Sequence, residues 1–324
     1  MNSTLIRLFG YAATGAAAGL LGGLLGIGGG AVMVPSLNLI LDETMHLAIA
    51  GSLVAMIFIS ASSAWGHWKN GYVLKSVVVR MVPLATVSAV GGVIAGAYFP
   101  GAVLRKVFAV FLLYSIGNMI YKSIKAFLSP EAEEAPLTEY QPPNEWVTPM
   151  VAVPMGFSCG VLGIGGGVIA VPALHLFLRL PLKNAIANSA ATIFFSATVA
   201  AAAKSISIHG MAVTRTTGEV LTLSWHHAVI IGVLMAPTAF IAGRLGSHLT
   251  HVSPTMIIRV VFAAVALWAS YKFWTKPEDA PEADENPAVS APEHAVTGLR
   301  TAPDGPGYGA RRGGGLAGSP KFFQ

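Results

Sequence analysis

One glycine-broken apolar segment occurs twice in this chain, and it limits the possible folds more than any other feature. Residues 20–32 read LLGGLLGIGGGAV and residues 157–169 read FSCGVLGIGGGVI, an offset of 137. At that offset Pro35 falls on Pro172 and Asn38 on His175. Further on, HLAIAGSLVAMIF (46–58) aligns without a gap on KNAIANSAATIFF (183–195). This puts Ser52 on Ser189, Gly51 on Asn188 and His67 on Lys204. Beyond that point the register needs gaps, although IAG recurs at 94–96 and 241–243. A match of this length around a shared GIGGG points to an internal duplication.

Both copies lie in apolar runs that are hard to reconcile with water. The chain is 54% hydrophobic and only 11% charged, whereas a soluble domain carries about 25% charged residues to cover its surface. Eight apolar stretches are visible, at 5–41, 46–66, 77–99, 102–121, 147–178, 185–203, 225–249 and 255–274. Most have the roughly 20 residues that a helix needs to cross a bilayer. The two GIGGG stretches are too long for one simple span. Each is either one interrupted helix or two elements, one of them re-entrant. The expectation is an all-α polytopic membrane protein of two homologous repeats with 8–10 membrane segments. If each repeat crosses an odd number of times, the repeats are inverted; if even, they are parallel.

Charge and punctuation set the boundaries. Residues 1–127 form the first repeat, 128–146 an acidic, proline-rich linker, 147–276 the second repeat, and 277–324 a tail. Glu131, Glu133, Glu134, Glu139 and Glu145 lie in the linker, and seven further acids lie in the tail. Only Asp42, Glu43 and Glu219 remain in the apolar body, against most of the 20 Lys and Arg. These three acids read as peripheral, and a body with this balance favours anions over cations. The tail is rich in Pro, Ala, Gly and acids and is expected to be disordered. Arg7 followed by an apolar run and TGAAAG imitates a cleaved signal, but the repeat places the equivalent residues deep inside the chain. The segment therefore reads as the first membrane element. For eight alternating crossings, one side would hold Lys69, Lys75, Lys122, Lys125, Lys204, Arg215, Lys272 and Lys276. The other would hold Arg105, Lys106, Arg179, Lys183, Arg244 and Arg259. That bias places both termini in the cytoplasm.

Several chemistries are poorly supported. The single cysteine, Cys159, allows no intrachain disulfide and no cysteine cluster. The nine His residues show no HExxH pattern, and the adjacent His226 and His227 would point about 100° apart on a helix. GIGGGA (26–31) formally fits a dinucleotide-binding pattern, but the second copy, GIGGGV, does not. Neither sits between a strand and an amphipathic helix. No paired carboxylates occur in the body, so neither an enzyme nor a cofactor is expected. No nucleic-acid partner is expected either.

The repeat itself carries the better chemistry. Each glycine costs about 1 kcal/mol relative to Ala inside a helix, so GIGGG followed by Pro should break one. Broken backbone at membrane depth is tolerated where protein, water or a substrate satisfies it. The half-helix that follows would present free N–H groups and a positive dipole end to an anion. Close helix packing through small residues is the competing explanation. A second polar patch comprises Ser52, Ser60, Ser62 and Ser63 in one copy and Asn188, Ser189, Thr192, Ser196 and Thr198 in the other. Asn188, Thr192 and Ser196 share one helical face, where such groups also commonly bond to the preceding turn. Lys204, aligned with His67, either neutralises an anion or snorkels to the interface. Glu219 would titrate as a coupling group only if it entered the membrane.

The duplicated G-x-GGG-x-x-x-x-P element, followed by AIA-x-S in both halves, resembles the TauE/SafE family of sulfite and organosulfonate transporters. That family is also called the toluene-sulfonate-uptake permeases. The resemblance covers about residues 8–125 and 147–274. It implies a carrier of seven to ten segments for sulfur-containing anions such as sulfite, sulfoacetate or related sulfonates, most often exporting them. It places the substrate at Gly28, Gly29, Gly30, Gly165, Gly166 and Gly167, with Ser52, Asn188 and Ser189 nearby. Gly51 in the place of Asn188 makes the halves unequal. Thr192 and Lys204 join this set from the polar patch.

The expected function is thus a secondary transporter of small sulfur-containing anions, an exporter driven by the proton or charge gradient, working by alternating access between the repeats. It would sit in the cytoplasmic membrane of a prokaryote, with the lipid bilayer and a small anionic substrate as its partners. The oligomeric state is open, a homo-oligomer included. The alternatives are a carrier of a different solute, an importer, or a membrane scaffold acting through linker and tail.

Overall fold

A computed structural model describes residues 3–128, 137, 147–214, 220–252 and 256–276. The expected linker (apart from Leu137), the tail, Arg215 and Glu219 lie outside the described residues. The chain divides into two units, Met1–Asp284 and Glu285–Gln324, and everything below concerns the first.

Ten helices occur among the described residues. They are α1 (Ser3–Leu25), α2 (Gly30–Pro35), α3 (Met45–Lys69), α4 (Lys75–Ala97), α5 (Gly101–Leu128), α6 (Val147–Leu162), α7 (Gly167–Phe177), α8 (Leu182–Ser207), α9 (Trp225–Val252) and α10 (Met256–Thr275). A hairpin of β1 (Ala212–Thr214) and β2 (Val220–Thr222) joins α8 to α9. Pro35 ends α2 and the chain continues as a π-helical turn, Ser36–Ile40. Proline lacks the N–H that would continue the regular ladder. Six helices (α1, α3, α4, α5, α8 and α9) contain stretches long and apolar enough to cross a membrane. α10 has 20 residues, enough for about 30 Å.

Both GIGGG segments are two elements, and both turn back. A Cβ on Gly22 would meet the backbone of Gly29, while one on Gly10 would meet Leu41. So α2 runs antiparallel to α1 and returns the chain to the end where it started. There the Tyr11 hydroxyl donates to Glu43 Oε1 at 2.7 Å, and Arg7 donates to the Leu41 carbonyl at 3.3 Å. This end is called the Arg7 face. α3 then crosses to the opposite, Lys69 face. In the second half, Gly166 lies against Met155, so α7 returns along α6. Its end leads into α8, where Asn184 donates to the Tyr72 carbonyl at 2.9 Å, at the Lys69 face.

The two hairpins therefore enter the bundle from opposite faces. α3, α4 and α5 cross after the first, and α8, α9 and α10 after the second, each in the reverse direction of its sequence counterpart. α10 ends at the Arg7 face, where Lys276 reaches the Asn38 carbonyl at 3.4 Å and Asp42 at 3.7 Å. The matched halves are inverted, with three crossings and one re-entrant hairpin each.

This overturns the expected distribution of charges. Lys69 and Lys75 lie at one face and Lys204, Lys272 and Lys276 at the other, not together. Arg105 and Lys106 begin α5 at the Arg7 face, whereas Arg179 and Lys183 lie at the Lys69 face. The physical reason is that each GIGGG stretch re-enters instead of crossing, so the alternation slips by one in each half. The count that placed both termini in the cytoplasm no longer holds.

Small residues hold the crossings together. Gly15, Gly19 and Gly23 recur every four residues on α1 and meet the backbone of α9 at Met235, Ala239 and Gly243. Gly156 and Gly160 do the same for α6 against Ala85 and Ala89 of α4. Spacing of four puts such residues on one helical face, and without side chains the backbones come close enough for dispersion to replace the hydrophobic effect. Each half's first helix packs on a helix of the other half, so the halves interlock rather than abut. α3 and α8 pack against each other at the centre, while α4 and α9 expose Val79, Val87, Ile230 and Ile241 outward. Exposed Trp65 and Trp68 at the Lys69 face and Tyr98, Trp225, Tyr271 and Trp274 at the Arg7 face mark two aromatic belts.

Candidate functional site

The tips of the hairpins meet at the midpoints of α3 and α8. Gly26, Gly28 and Gly29 have φ of 68, 82 and 80°, and Gly163, Gly165 and Gly166 have 66, 85 and 69°. This left-handed backbone disfavours any residue with a Cβ, and both copies adopt it at the same positions. Met56 and Ile193, which also match at the offset, fill the space between the tips, each lying against both Gly28 and Gly165. Gly30 lies on the backbone of Gly163 and Ile164, and Gly167 on that of Gly26 and Ile27. The two loops thus cross in direct backbone contact.

At this crossing α2 and α7 begin. Gly29 and Gly166 occupy the N-cap positions, and neither helix has a side-chain cap. The Gly29 carbonyl accepts from Val32 and Met33, and that of Gly166 from Ile169 and Ala170. The first amides of a helix have no partner within it, and a glycine cap offers no oxygen to them. Two positive helix ends therefore converge at the centre of the bundle, a setting suited to negative charge.

The serines kept in both copies serve the carbonyls of the same loops. Ser52 Oγ donates toward the Gly163 carbonyl at 3.2 Å and toward Ile49 at 2.8 Å. Ser189 Oγ donates to the Gly26 carbonyl at 3.2 Å. Each hydroxyl reaches from one half into the other, and each meets part of the need that the glycine break creates. Cys159 is buried beside Ser196 and Gly165.

The remaining expected residues divide. Gly28, Gly29, Gly30, Gly165, Gly166, Gly167, Ser52 and Ser189 come together. Asn188 directly precedes Ser189 in α8 but is engaged elsewhere. Its Oδ1 accepts from Leu74 N at 2.9 Å, and its Nδ2 donates to the Asn184 carbonyl at 2.7 Å. It anchors the α3–α4 turn. Thr192 bonds back to Asn188 at 2.8 Å, as Ser60 does to Met56 at 2.6 Å. Lys204 is not at the crossing. It lies eleven residues past Ile193 on α8, about 16 Å at the helical rise. Nor does it snorkel, for its side chain is 0% exposed and Nζ is 3.2 Å from His46 Nδ1.

Sequence reasoning missed Met56, Ile193 and His46, since nothing but the offset distinguishes them. It also placed Glu43 at the periphery. Glu43 is 4% exposed, bonded to Tyr11 and paired with Arg7 at 3.4 Å, because the hairpin folds the start of α3 back under α1. A lateral cavity of about 960 Å³ lies between α3, α4 and α8, lined by Trp65, Trp68, Val79, Phe194, Lys69 and Lys75. It is apolar apart from its two lysines and holds none of the expected binding residues.

Inverted halves, broken helices meeting at mid-depth and an outward apolar surface define an integral membrane protein of the transporter type. Residues 11–273 match the family described as sulfite exporter TauE/SafE, and the chain belongs to it. It is 28% identical over 284 residues to the probable membrane transporter protein YunE of Bacillus subtilis, covering 80% of this chain and 95% of that one. It is 25% identical over 283 residues to the probable membrane transporter protein MamO of Magnetospirillum gryphiswaldense, and spans 43% of that protein's length. To the probable membrane transporter protein MJ0441 of Methanocaldococcus jannaschii it is 29% identical over 184 residues, covering 54% of this chain and 64% of the relative. No solved structure matches.

Proposed function

We propose that the chain is a secondary transporter that exports small sulfur-containing anions, sulfite or an organosulfonate such as sulfoacetate, across the cytoplasmic membrane of a prokaryote. The observation that carries this reading is the convergence of two uncapped helix N-termini, α2 and α7, at the crossing of the glycine loops. Their amides supply donors and positive potential without a mobile cation, which suits an anion that must be released again. The family's description as a sulfite exporter supports an anion bearing sulfur. The inverted halves suggest descent from a duplicated unit and supply the means of alternation, one hairpin yielding toward each face.

The crossing is occluded here, with Gly28, Gly29, Gly30, Gly165, Gly166 and Gly167 all buried. The anion would enter when the loops part and would replace the contacts to Met56 and Ile193. Purified protein in proteoliposomes should move radiolabelled sulfite or sulfoacetate with saturation, and unlabelled anion should compete. Intact, folded protein that moves none of these anions under either a proton or a charge gradient would refute the reading.

A further inference from the structure

Lys204 has no place in the glycine crossing, and its surroundings ask for an explanation. It is fully buried, and its bond to His46 Nδ1 is 3.2 Å. Among the described residues it forms no ion pair. Taking an ammonium out of water costs several kcal/mol, and an apolar side chain in its place is often more stable. An ammonium has three donors, and His46 occupies one. The Phe99 backbone also approaches the His46 ring. Glu43, three residues before His46, is occupied by Tyr11 and Arg7. The pair therefore offers a positive charge and unspent N–H donors with no acid to meet them.

The inverted arrangement adds a second observation. The offset of 137 carries His46 onto Lys183 and Lys204 onto His67. The same two residue types recur at the opposite face with their places exchanged, on the first turn of α8 and the last turn of α3. His67 is 0% exposed. Lys183 is half-buried there, so what recurs is the exchange of residue types between the two faces.

We infer that Lys204 and His46 form a second anion-binding station, near the Arg7 face and separate from the glycine crossing, for a small oxyanion on its way through the bundle. The inference rests on the anion-transport reading above. An oxyanion leaving the crossing gives up backbone amides and must find another donor before it reaches water. Lys204 supplies that donor together with the balancing charge. The Lys204–His46 contact seen here is the unloaded arrangement, which the anion opens by taking the place of the imidazole on Nζ.

The test is Lys204→Met in proteoliposomes, with Lys204→Arg and His46→Gln beside it. Lys204→Met should slow sulfite or sulfoacetate transport at least tenfold and raise KM, while Lys204→Arg keeps part of the rate. Detergent-solubilised wild type should be stabilised against heat by the same anions, and Lys204→Met should lose most of that shift. A folded Lys204→Met with wild-type rate, KM and thermal response would overturn the inference. If that variant is not recovered folded, unchanged KM in both Lys204→Arg and His46→Gln would overturn it. Should the wild type move no sulfur anion, the proposed function falls. The thermal response to sulfate, phosphate and chloride then decides the station alone, and equal shifts in wild type and Lys204→Met would sink it.

Discussion

Replacing Gly30 or Gly167 by alanine tests whether the loops must touch. At Gly30 an added Cβ would lie 2.7 Å from Ile164 Cα and 2.8 Å from Met56 Cε, and closer still to the Gly163 carbonyl oxygen. At Gly167 it would lie 2.6 Å from Ile27 Cα, and closer still to the Gly26 carbonyl oxygen. Carbon contacts are comfortable at about 3.5–4.0 Å, so the opposing backbone must retreat by about 1 Å. Backbone has no rotamer with which to yield. Overpacking of this kind costs about 1–3 kcal/mol. The retreat also stretches the Ser52 or Ser189 bond to the carbonyl, already 3.2 Å, and forfeits about 0.5–1.5 kcal/mol. Alanine returns about 1 kcal/mol as the better helix former, because neither glycine is in the left-handed region. The net loss is about 1–3 kcal/mol. Gly91→Ala and Gly117→Ala are the controls, since nothing lies within 4 Å of a Cβ at either. They keep the helix-propensity gain without the clash. Thermal unfolding in detergent, followed by tryptophan fluorescence, should place Gly30→Ala and Gly167→Ala below wild type, and the two controls at or above it. If all four variants unfold alike, the loops are not in contact and the crossing is wrong.

Ser189→Ala should destabilise more than Ser52→Ala, by about 1 kcal/mol against a few tenths. The Ser52 proton is shared with Ile49, whereas that of Ser189 is given to Gly26; the same unfolding assay orders them, and the reverse order would discount the carbonyl contacts. Tyr11→Phe removes a donor from the buried Glu43 carboxylate and should cost about 1–3 kcal/mol; a neutral result would mean that water reaches Glu43. In a Cys159→Ser background, Asn70→Cys and Gly210→Cys should react with impermeant maleimide from opposite sides of sealed vesicles. Eight simple crossings would put them on the same side.

The sequence was most informative where chemistry is local and least where it depends on direction. GIGGG, its proline and the matched serines are visible because glycine and proline have no common substitute at a break. The same residues that identify the break also form the crossing, so most of the candidate site could be read directly. Whether the chain turns back after GIGGG is a matter of which helices the next segment packs on. Hydropathy contains no such information, which is why counting crossings misassigned Lys69 and Lys204 to one side. Asn188 and Thr192 were grouped with the site by helical spacing, but spacing gives a face and not a partner. Asn188 faces the Leu74 amide and Thr192 its own helix. Lys204 and His46 are 158 residues apart and meet only because α3 and α8 are antiparallel.

The near-symmetry of the crossing also shows where the two halves cannot behave alike. At the crossing itself each feature has its counterpart: Met56 and Ile193, Ser52 and Ser189, Gly30 and Gly167. One position before the matched serines the correspondence ends. Gly51 lets α9 come close, with Ile231 Cγ2 2.8 Å from where a Cβ would stand, so this side is held by dispersion over small residues. Asn188 instead pins the α3–α4 turn by accepting from Leu74 N, while its Nδ2 donates back to the Asn184 carbonyl of its own helix, and Asn184 holds Tyr72 and Leu137. Packing contacts weaken gradually as helices slide, whereas buried hydrogen bonds at membrane depth must break and leave their partners unmet. Motion that opens the Lys69 face therefore has to release Asn188 or carry the α3–α4 turn along with α8, while the Arg7 face has no such latch at Gly51.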